Sequence, residues 1–281
     1  MTQKPIILNG KKVAENLGSV LKGQADYLKR AGKNPYLYIV NNPYDPAGRV
    51  YIQQKTKMAE RIGIGVECIS FHDIYRGEIG DAPIIVQLPT HGQEDLDRLA
   101  EYYVNQWKDV DGTLNPFNIA YLASGAKPAM KPCTPTGIIT LLNYYGIKAD
   151  GAMVTVIGRS NIVGRPLARM FEQENATVAL CHSKTRGRDL VRLVGMSDIV
   201  VAATGVRNLL TWDDAKKYGW DVANTVFVDV GMNRNEDGDL CGDLDPELLV
   251  HSKAYTPVPG GVGPMTVISL MENVLNYYKE D

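Results

Sequence analysis

Tyr51 and Lys55 stand four residues apart in "VYIQQKTK", on one face of any helix that carries them. A lysine in water has a pKa of about 10.4, too high for a base near neutrality, but desolvation lowers it into a range where it can move protons. Without further partners, a surface lysine lying over a tyrosine ring is the favoured reading of the pair. Partners decide between the two, and the sequence offers some. Gln87 closes the apolar run "IIVQLPT", and Asp109 and Asp111 sit in "WKDVDGTLNP" beside Gly112, a residue suited to a tight turn. An amide and a carboxylate near a lysine set its protonation or bind a polar heterocycle. Asp109 reads as a turn former. Asp111 reads as turn former or ligand, and pattern alone leaves both open.

A second constellation is "VTVIGRSNIVGRP", residues 154–166. A strand that stops at Gly158 and turns into a helix near Ile162 offers unpaired N–H groups to an anion. The usual three-glycine spelling is absent; Gly158 and Gly164 remain, with Arg159 and Ser160 at the mouth. Gly164 permits close packing on the sheet or on a ligand. The strand that follows ends in "CHSKT", without the carboxylate that binds a ribose 2′-hydroxyl, and Arg186 and Arg188 come after it. That end accepts a 2′-phosphate, so NADP is expected rather than NAD.

The elements needed to hold these residues follow from short apolar runs alternating with amphipathic stretches, the pattern of an α/β protein. Helices are predicted over 10–31, 45–63 (with Asp45 as cap), near 93–106, over 134–146 and from Asn161 to Phe171, with a last long one in "GPMTVISLMENVLNYYKE". Strands are predicted at "YLYIV", "VECIS", "PIIVQL", "AMVTVIG", "ATVALCH", "DIVVAATG" and "TVFVDVG". The expected architecture is two α/β domains with a cleft between them, the second a Rossmann-like dinucleotide-binding domain. Open α/β sheets bind ligands beyond the carboxyl ends of their strands, where the sharp motifs of this chain fall.

The chain has 281 residues, 44% of them hydrophobic, enough for one large or two ordinary domains. A net charge of −2 with no basic tract argues against a nucleic-acid partner. The four cysteines form no C-x-x-C pair, which predicts reduced thiols and no zinc site; no metal is expected. No apolar run approaches membrane-spanning length, and the apolar part of "MTQKPIILNG" is too short for a signal peptide, so a cytoplasmic location is expected.

Taken together, "YIQQK", "VQLP", "KDVDG", "KPCTPTG", "VIGRSNIVGRP", "CHSKT", "VAATG" and "TPVPGGVGPMT" occur in an order and spacing that closely resembles the methylenetetrahydrofolate dehydrogenase/cyclohydrolase family, end to end. The resemblance implies a folate-binding catalytic domain (1–148 plus 264–281) and an NADP-binding domain (149–263), commonly in a homodimer. It implies oxidation of 5,10-methylenetetrahydrofolate and hydrolysis of the methenyl product to 10-formyltetrahydrofolate, in one-carbon metabolism and purine biosynthesis. By the resemblance Lys55 is the lysine of the hydrolytic step, Tyr51 its neighbour over the folate ring, Gln87 its hydrogen-bond partner and Asp111 the ligand of the pterin edge. Gly158, Arg159, Ser160, Ile162, Gly164, His182, Ser183, Thr204 and Gly205 match cofactor positions. Gly260, Gly261 and Pro264 match the substrate side, and Thr204, Gly205 and Gly260 to Gly263 lie where the nicotinamide end is held.

Three departures lie in the folate half. "VNNPYDPAGRVY" is two residues longer than the family pattern, with Gly48 in a serine position. Thr90-His91 replaces Leu-Pro, and the stretch after "DVDG" is one residue longer, with Ala120 in a glycine position. They leave the named side chains in place. They frame the alternative of a dehydrogenase, NADP- or NAD-dependent, with little or no hydrolytic activity, and a third reading of a non-catalytic nucleotide- or folate-binding protein.

Overall fold

The computed structural model describes residues 4–41, 46–76, 80–87, 108–126 and 130–279. The helix expected near 93–106, the Asp45 cap, and Thr90 and His91 lie outside them. The chain is mixed α/β, and contacts divide it into two units: Met1–Val13 with Thr134–Thr266, and Ala14–Cys133 with Val267–Asp281. The sequence reading draws its boundaries at 148 and 264; contacts place residues 1–13 and 134–148 with the second half of the chain.

The first unit is built on a six-stranded, all-parallel sheet. Its strands are β1 (Ile6–Ile7), β5 (Met153–Ile157), β6 (Thr177–Cys181), β7 (Ile199–Ala202), β8 (Val226–Asp229) and β11 (Ala254–Tyr255), in the order β1-β11-β8-β7-β5-β6. β7 and β8 are buried at every position, as continuous apolar runs in a covered parallel sheet must be. Phe227, Val200, Ala202, Leu244 and Leu248 form its core, with Trp212 and Trp220 packed against it. β1 is too short to show periodicity, and its pairing is set from outside: Ile6 N donates to Lys253 O at 3.0 Å and Leu8 N to Tyr255 O at 2.8 Å. A small hairpin, β9 (Asn233–Arg234) with β10 (Leu240–Cys241), follows β8.

The second unit carries a three-stranded parallel sheet, β3-β2-β4, of β2 (Tyr36–Val40), β3 (Gly65–Ile69) and β4 (Ile84–Val86). Val40, Ile69, Ile74, Ile84 and Val86 make its core. Helix α2 (Pro46–Ile62) begins with a proline at a position where the missing N–H costs nothing. Its register turns Lys55, Ala59 and Ile62, spaced by four and three, into the protein. The chain's remaining long helices, Gly10–Arg30, Cys133–Tyr144 and Val262–Tyr277, each contain a division between the two units. No described helix is long and apolar enough to cross a membrane.

Candidate active site

Lys55 occupies a position on the core-facing stripe of α2 that an apolar residue would ordinarily fill. It is 8% exposed, and its Nζ donates to Gln87 Oε1 at 2.7 Å. Gln87 is placed by the sheet: it follows β4 directly, and its own N–H donates to Val40 O at 2.9 Å. Burial pushes the Lys55 ammonium below its ordinary range, and the negative charge of Asp111 pulls it back. Tyr51, one turn earlier on the same helix, is half-buried.

Asp111 is positioned by a buried turn. Residues 108–110 run beside β4, with Ile84 N donating to Lys108 O at 2.8 Å and Val110 N to Ile84 O at 3.3 Å. The Asp109 carboxylate is 1% exposed and accepts from Gly112 N (3.1 Å), Leu114 N (2.8 Å) and Asn115 N (2.7 Å). Asp109 is therefore the turn former that its sequence context suggested. Burial raises its pKa to about 6, against the pull of those three donors. Asp111 stands on this turn, accepting from Thr113 Oγ1 at 3.1 Å. Its carbonyl accepts from Cys133 N at 3.2 Å.

Two residues of this unit were passed over in the sequence. Cys133 is fully buried and donates to Val110 O at 3.3 Å; burial holds its thiol well above the usual range, so it packs rather than reacts. Asn273 donates to both Val110 O and Lys131 O at 2.8 Å, fastening the residue before Asp111 to the segment that leads into Cys133. An asparagine inside the apolar run "VISLMENVL" is the signal that could have found it. Lys55 and Gln87 are thus in direct contact, and Asp111 is near enough for its charge to act on the lysine.

In the other unit, sheet register aligns the nucleotide candidates. Ile157 pairs with Cys181 on one side and with Ala202 on the other. The segments 158–164, 182–183 and 204–205 therefore leave adjacent strands at the same edge. Gly158 has φ of 127°, and a side chain there would meet the Ala203 carbonyl. A Cβ on Gly164 would strike the Gly158 carbonyl, so the turn closes on itself through two bare backbones. Ser160 Oγ accepts from Val163 N at 3.1 Å and Gly164 N at 3.4 Å. For that reason the helix starts at Gly164 and runs to Gln173, not from Asn161 as the sequence suggested; residues 161–163 are turn. Arg159 and Ile162 are exposed at this turn.

His182 and Ser183 follow β6. His182 N donates to Thr185 Oγ1 at 2.9 Å and its Nδ1 accepts from Lys184 N at 3.1 Å, while Ser183 is exposed. Thr204 and Gly205 follow β7, bound by Asp243, a residue the sequence reading did not use. Gly260, Gly261 and Pro264 lie beyond β11 at the entry to the last helix. Gly260 O accepts from Lys11 N at 3.0 Å and Gly261 N donates to Pro257 O at 2.8 Å. The tight Gly158–Gly164 turn leaves backbone rather than side chains at the strand ends where a dinucleotide's anionic linkage would lie, and the exposed Arg159 beside it suits a 2′-phosphate.

A parallel sheet with a bare strand-to-helix turn defines a dinucleotide-binding α/β unit, and the buried lysine–amide pair defines a candidate proton-transfer centre in the other. Residues 132–281 match the family described as tetrahydrofolate dehydrogenase/cyclohydrolase, NAD(P)-binding domain. The protein belongs to that family. It is 37% identical over 292 residues to the bifunctional protein FolD of Geotalea uraniireducens, covering 97% of this chain and 98% of that one. It is 41% identical over 288 residues to the bifunctional protein FolD of Lactobacillus acidophilus, covering 96% and 95% of the two chains. Among solved structures, the bifunctional FolD methylenetetrahydrofolate dehydrogenase/cyclohydrolase of Campylobacter jejuni superposes with a TM-score of 0.88 at 35% identity, covering 98% of each chain. The Trypanosoma brucei FolD, solved with NADP cofactor and an inhibitor, has a TM-score of 0.87 at 28% identity, covering 99% of this chain and 98% of that one.

Proposed function

We propose that the protein is a bifunctional enzyme of one-carbon metabolism. It oxidises 5,10-methylenetetrahydrofolate to the 5,10-methenyl form with NADP, and hydrolyses that product to 10-formyltetrahydrofolate. The observation that carries the reading is the Lys55 Nζ–Gln87 Oε1 hydrogen bond of 2.7 Å at a buried lysine, in a chain of this family. The retained pair also weighs against the dehydrogenase-only reading.

NADP, when bound, supplies the hydride acceptor. In this reading Gly158, Ile162 and Gly164 would hold its pyrophosphate, Arg159, Ser160, His182 and Ser183 the adenosine-phosphate end, and Thr204 and Gly205 the nicotinamide end. Oxidation asks little general-base work of the protein, because a folate nitrogen's lone pair stabilises the cation left on the methylene carbon. Hydrolysis asks more. As water attacks the methenyl carbon, the neutral Lys55 amine takes its proton, and Gln87 holds the amine in place and sets how much of it is protonated. Asp111 binds the aminopyrimidine edge as a bidentate acceptor, Tyr51 lies over the ring, and Gly260, Gly261 and Pro264 line the substrate side.

The domain roles follow: a folate-binding catalytic domain of 1–148 plus 264–281, and an NADP-binding domain of 149–263. The product's formyl group suits purine biosynthesis, in the cytoplasm. A homodimer is favoured by the open edge strand β6, whose Leu180 is 38% exposed, and light scattering on a sizing column checks it. The test of the proposed chemistry is Lys55→Met. It is expected to abolish hydrolysis of 5,10-methenyltetrahydrofolate while reducing NADP-dependent oxidation less. An unchanged hydrolysis rate removes Lys55 from its role.

A further inference from the structure

The unit with the six-stranded sheet buries two carboxylates that the proposed chemistry does not use. Asp229, the last residue of β8, is 2% exposed; its Oδ1 accepts from Gly231 N and Asp243 N, and its Oδ2 from Leu244 N, all at 2.9 Å. Asp243 is completely buried. Its Oδ1 accepts from Asn233 Nδ2 at 2.9 Å. Its Oδ2 accepts from Thr204 N at 2.7 Å, Thr204 Oγ1 at 2.8 Å and Gly205 N at 3.1 Å. A continuous path therefore leads from the rigid end of β8, through Asp229 and Asp243, to the turn that follows β7.

A carboxylate is an acceptor only, and Asp243 takes four donors, three on Oδ2 and one on Oδ1. Three of the four come from Thr204 and Gly205. Gly205 is held at φ of 68°, a left-handed conformation that orients its amide toward the acid. Thr204 Oγ1 is spoken for as a donor by Asp243, and as an acceptor it takes Val206 N at 3.2 Å. The turn's own glycine and threonine permit this shape, and the buried Asp243 carboxylate holds it in place.

We propose that Asp243 is the positioning residue for the nicotinamide end of the cofactor: it holds the Thr204–Gly205 turn in its receiving conformation and does not itself touch the nucleotide. The inference rests on the assignment of Thr204 and Gly205 to that end. It makes a distinction that a general structural role does not. Loss of the acid disturbs binding of the nicotinamide half and spares the adenosine 2′-phosphate half, which is held at the ends of β5 and β6.

The experiment is calorimetric titration of wild type and Asp243→Asn with NADP and, separately, with 2′,5′-ADP, which has the adenosine half alone. Exchanging a charged acceptor for a neutral one is expected to weaken NADP about tenfold or more. Affinity for 2′,5′-ADP is expected to stay within about twofold, as is the nucleotide-free hydrolysis of 5,10-methenyltetrahydrofolate. Equal weakening of both ligands, or no weakening of either, overturns the proposal. Should Asp243→Asn fail to fold, Asn233→Asp sets a like charge against Oδ1 from outside the turn, and the same selective loss is expected; wild-type affinities for both ligands there overturn it equally. If the wild-type protein binds 2′,5′-ADP but gains nothing from the nicotinamide half, the site assignment fails and the inference falls with it.

Discussion

Replacing Gln87 by methionine removes the acceptor that faces the Lys55 ammonium at 2.7 Å and keeps nearly the same volume. Because Lys55 is only 8% exposed, little water is available to take the amide's place. A hydrogen bond to a charged group is worth about 1.5–3 kcal/mol, so the balance between amine and ammonium moves toward the amine by about tenfold or more. Burial already lowers this lysine's basicity, and the substitution adds to that direction. The acid limb of the hydrolysis rate therefore moves to lower pH in Gln87→Met, whatever happens to the plateau. Gln87→Glu, which offers a carboxylate instead, moves it to higher pH. Rates are followed by the decay of 5,10-methenyltetrahydrofolate against a buffer blank across the pH range. Competitive acylation of Lys55, read by peptide mass spectrometry, reports the same balance without needing turnover. A limb that stays put, or that moves the same way in both variants, refutes the idea that Gln87 sets the protonation of Lys55.

Gly164→Ala is expected to cost about 1–3 kcal/mol of stability and to abolish NADP binding, because its Cβ would strike the Gly158 carbonyl; urea unfolding and calorimetry check the two halves. Arg159→Ala is expected to lower the preference for NADP over NAD by about tenfold, the worth of one charge-assisted hydrogen bond, read as the ratio of the two kcat/KM values. Asp109 and Asp229 both have folded-state pKa values raised to about 6, above the value of an exposed aspartate. Their protonated forms are thus favoured by folding, and that contribution is complete below about pH 4 and lost as pH rises through about 6. Between pH 7.5 and 5 each group is expected to add about 1 kcal/mol of stability, seen as a rising urea midpoint, and in Asp229→Asn its share of that rise disappears.

Elements with a strong local signal were legible in the sequence. β2 was read to the residue from "YLYIV", and α2 from its proline and terminal glycine, because apolar runs and caps act within one turn or strand. β1 was missed because two isoleucines, 46% and 50% exposed, become a strand only through β11, some 250 residues away. The site divides the same way. Tyr51 and Lys55 are a local pair and Gln87 ends a local run, whereas Asp243 acts on Thr204 across 39 positions, and nothing in "GDLD" announces the contact. The late start of the helix at Gly164 has a similar cause: Ser160 accepts from two N–H groups and holds the intervening residues as a turn.

The most direct test of the central claim is a paired assay on one preparation of the protein. One half follows reduction of NADP during oxidation of 5,10-methylenetetrahydrofolate, with NAD in parallel. The other follows decay of 5,10-methenyltetrahydrofolate with no nucleotide present. Both reactions above the blank, with NADP preferred, is the predicted result. Oxidation without hydrolysis, in a protein whose Lys55 and Gln87 are intact, contradicts it.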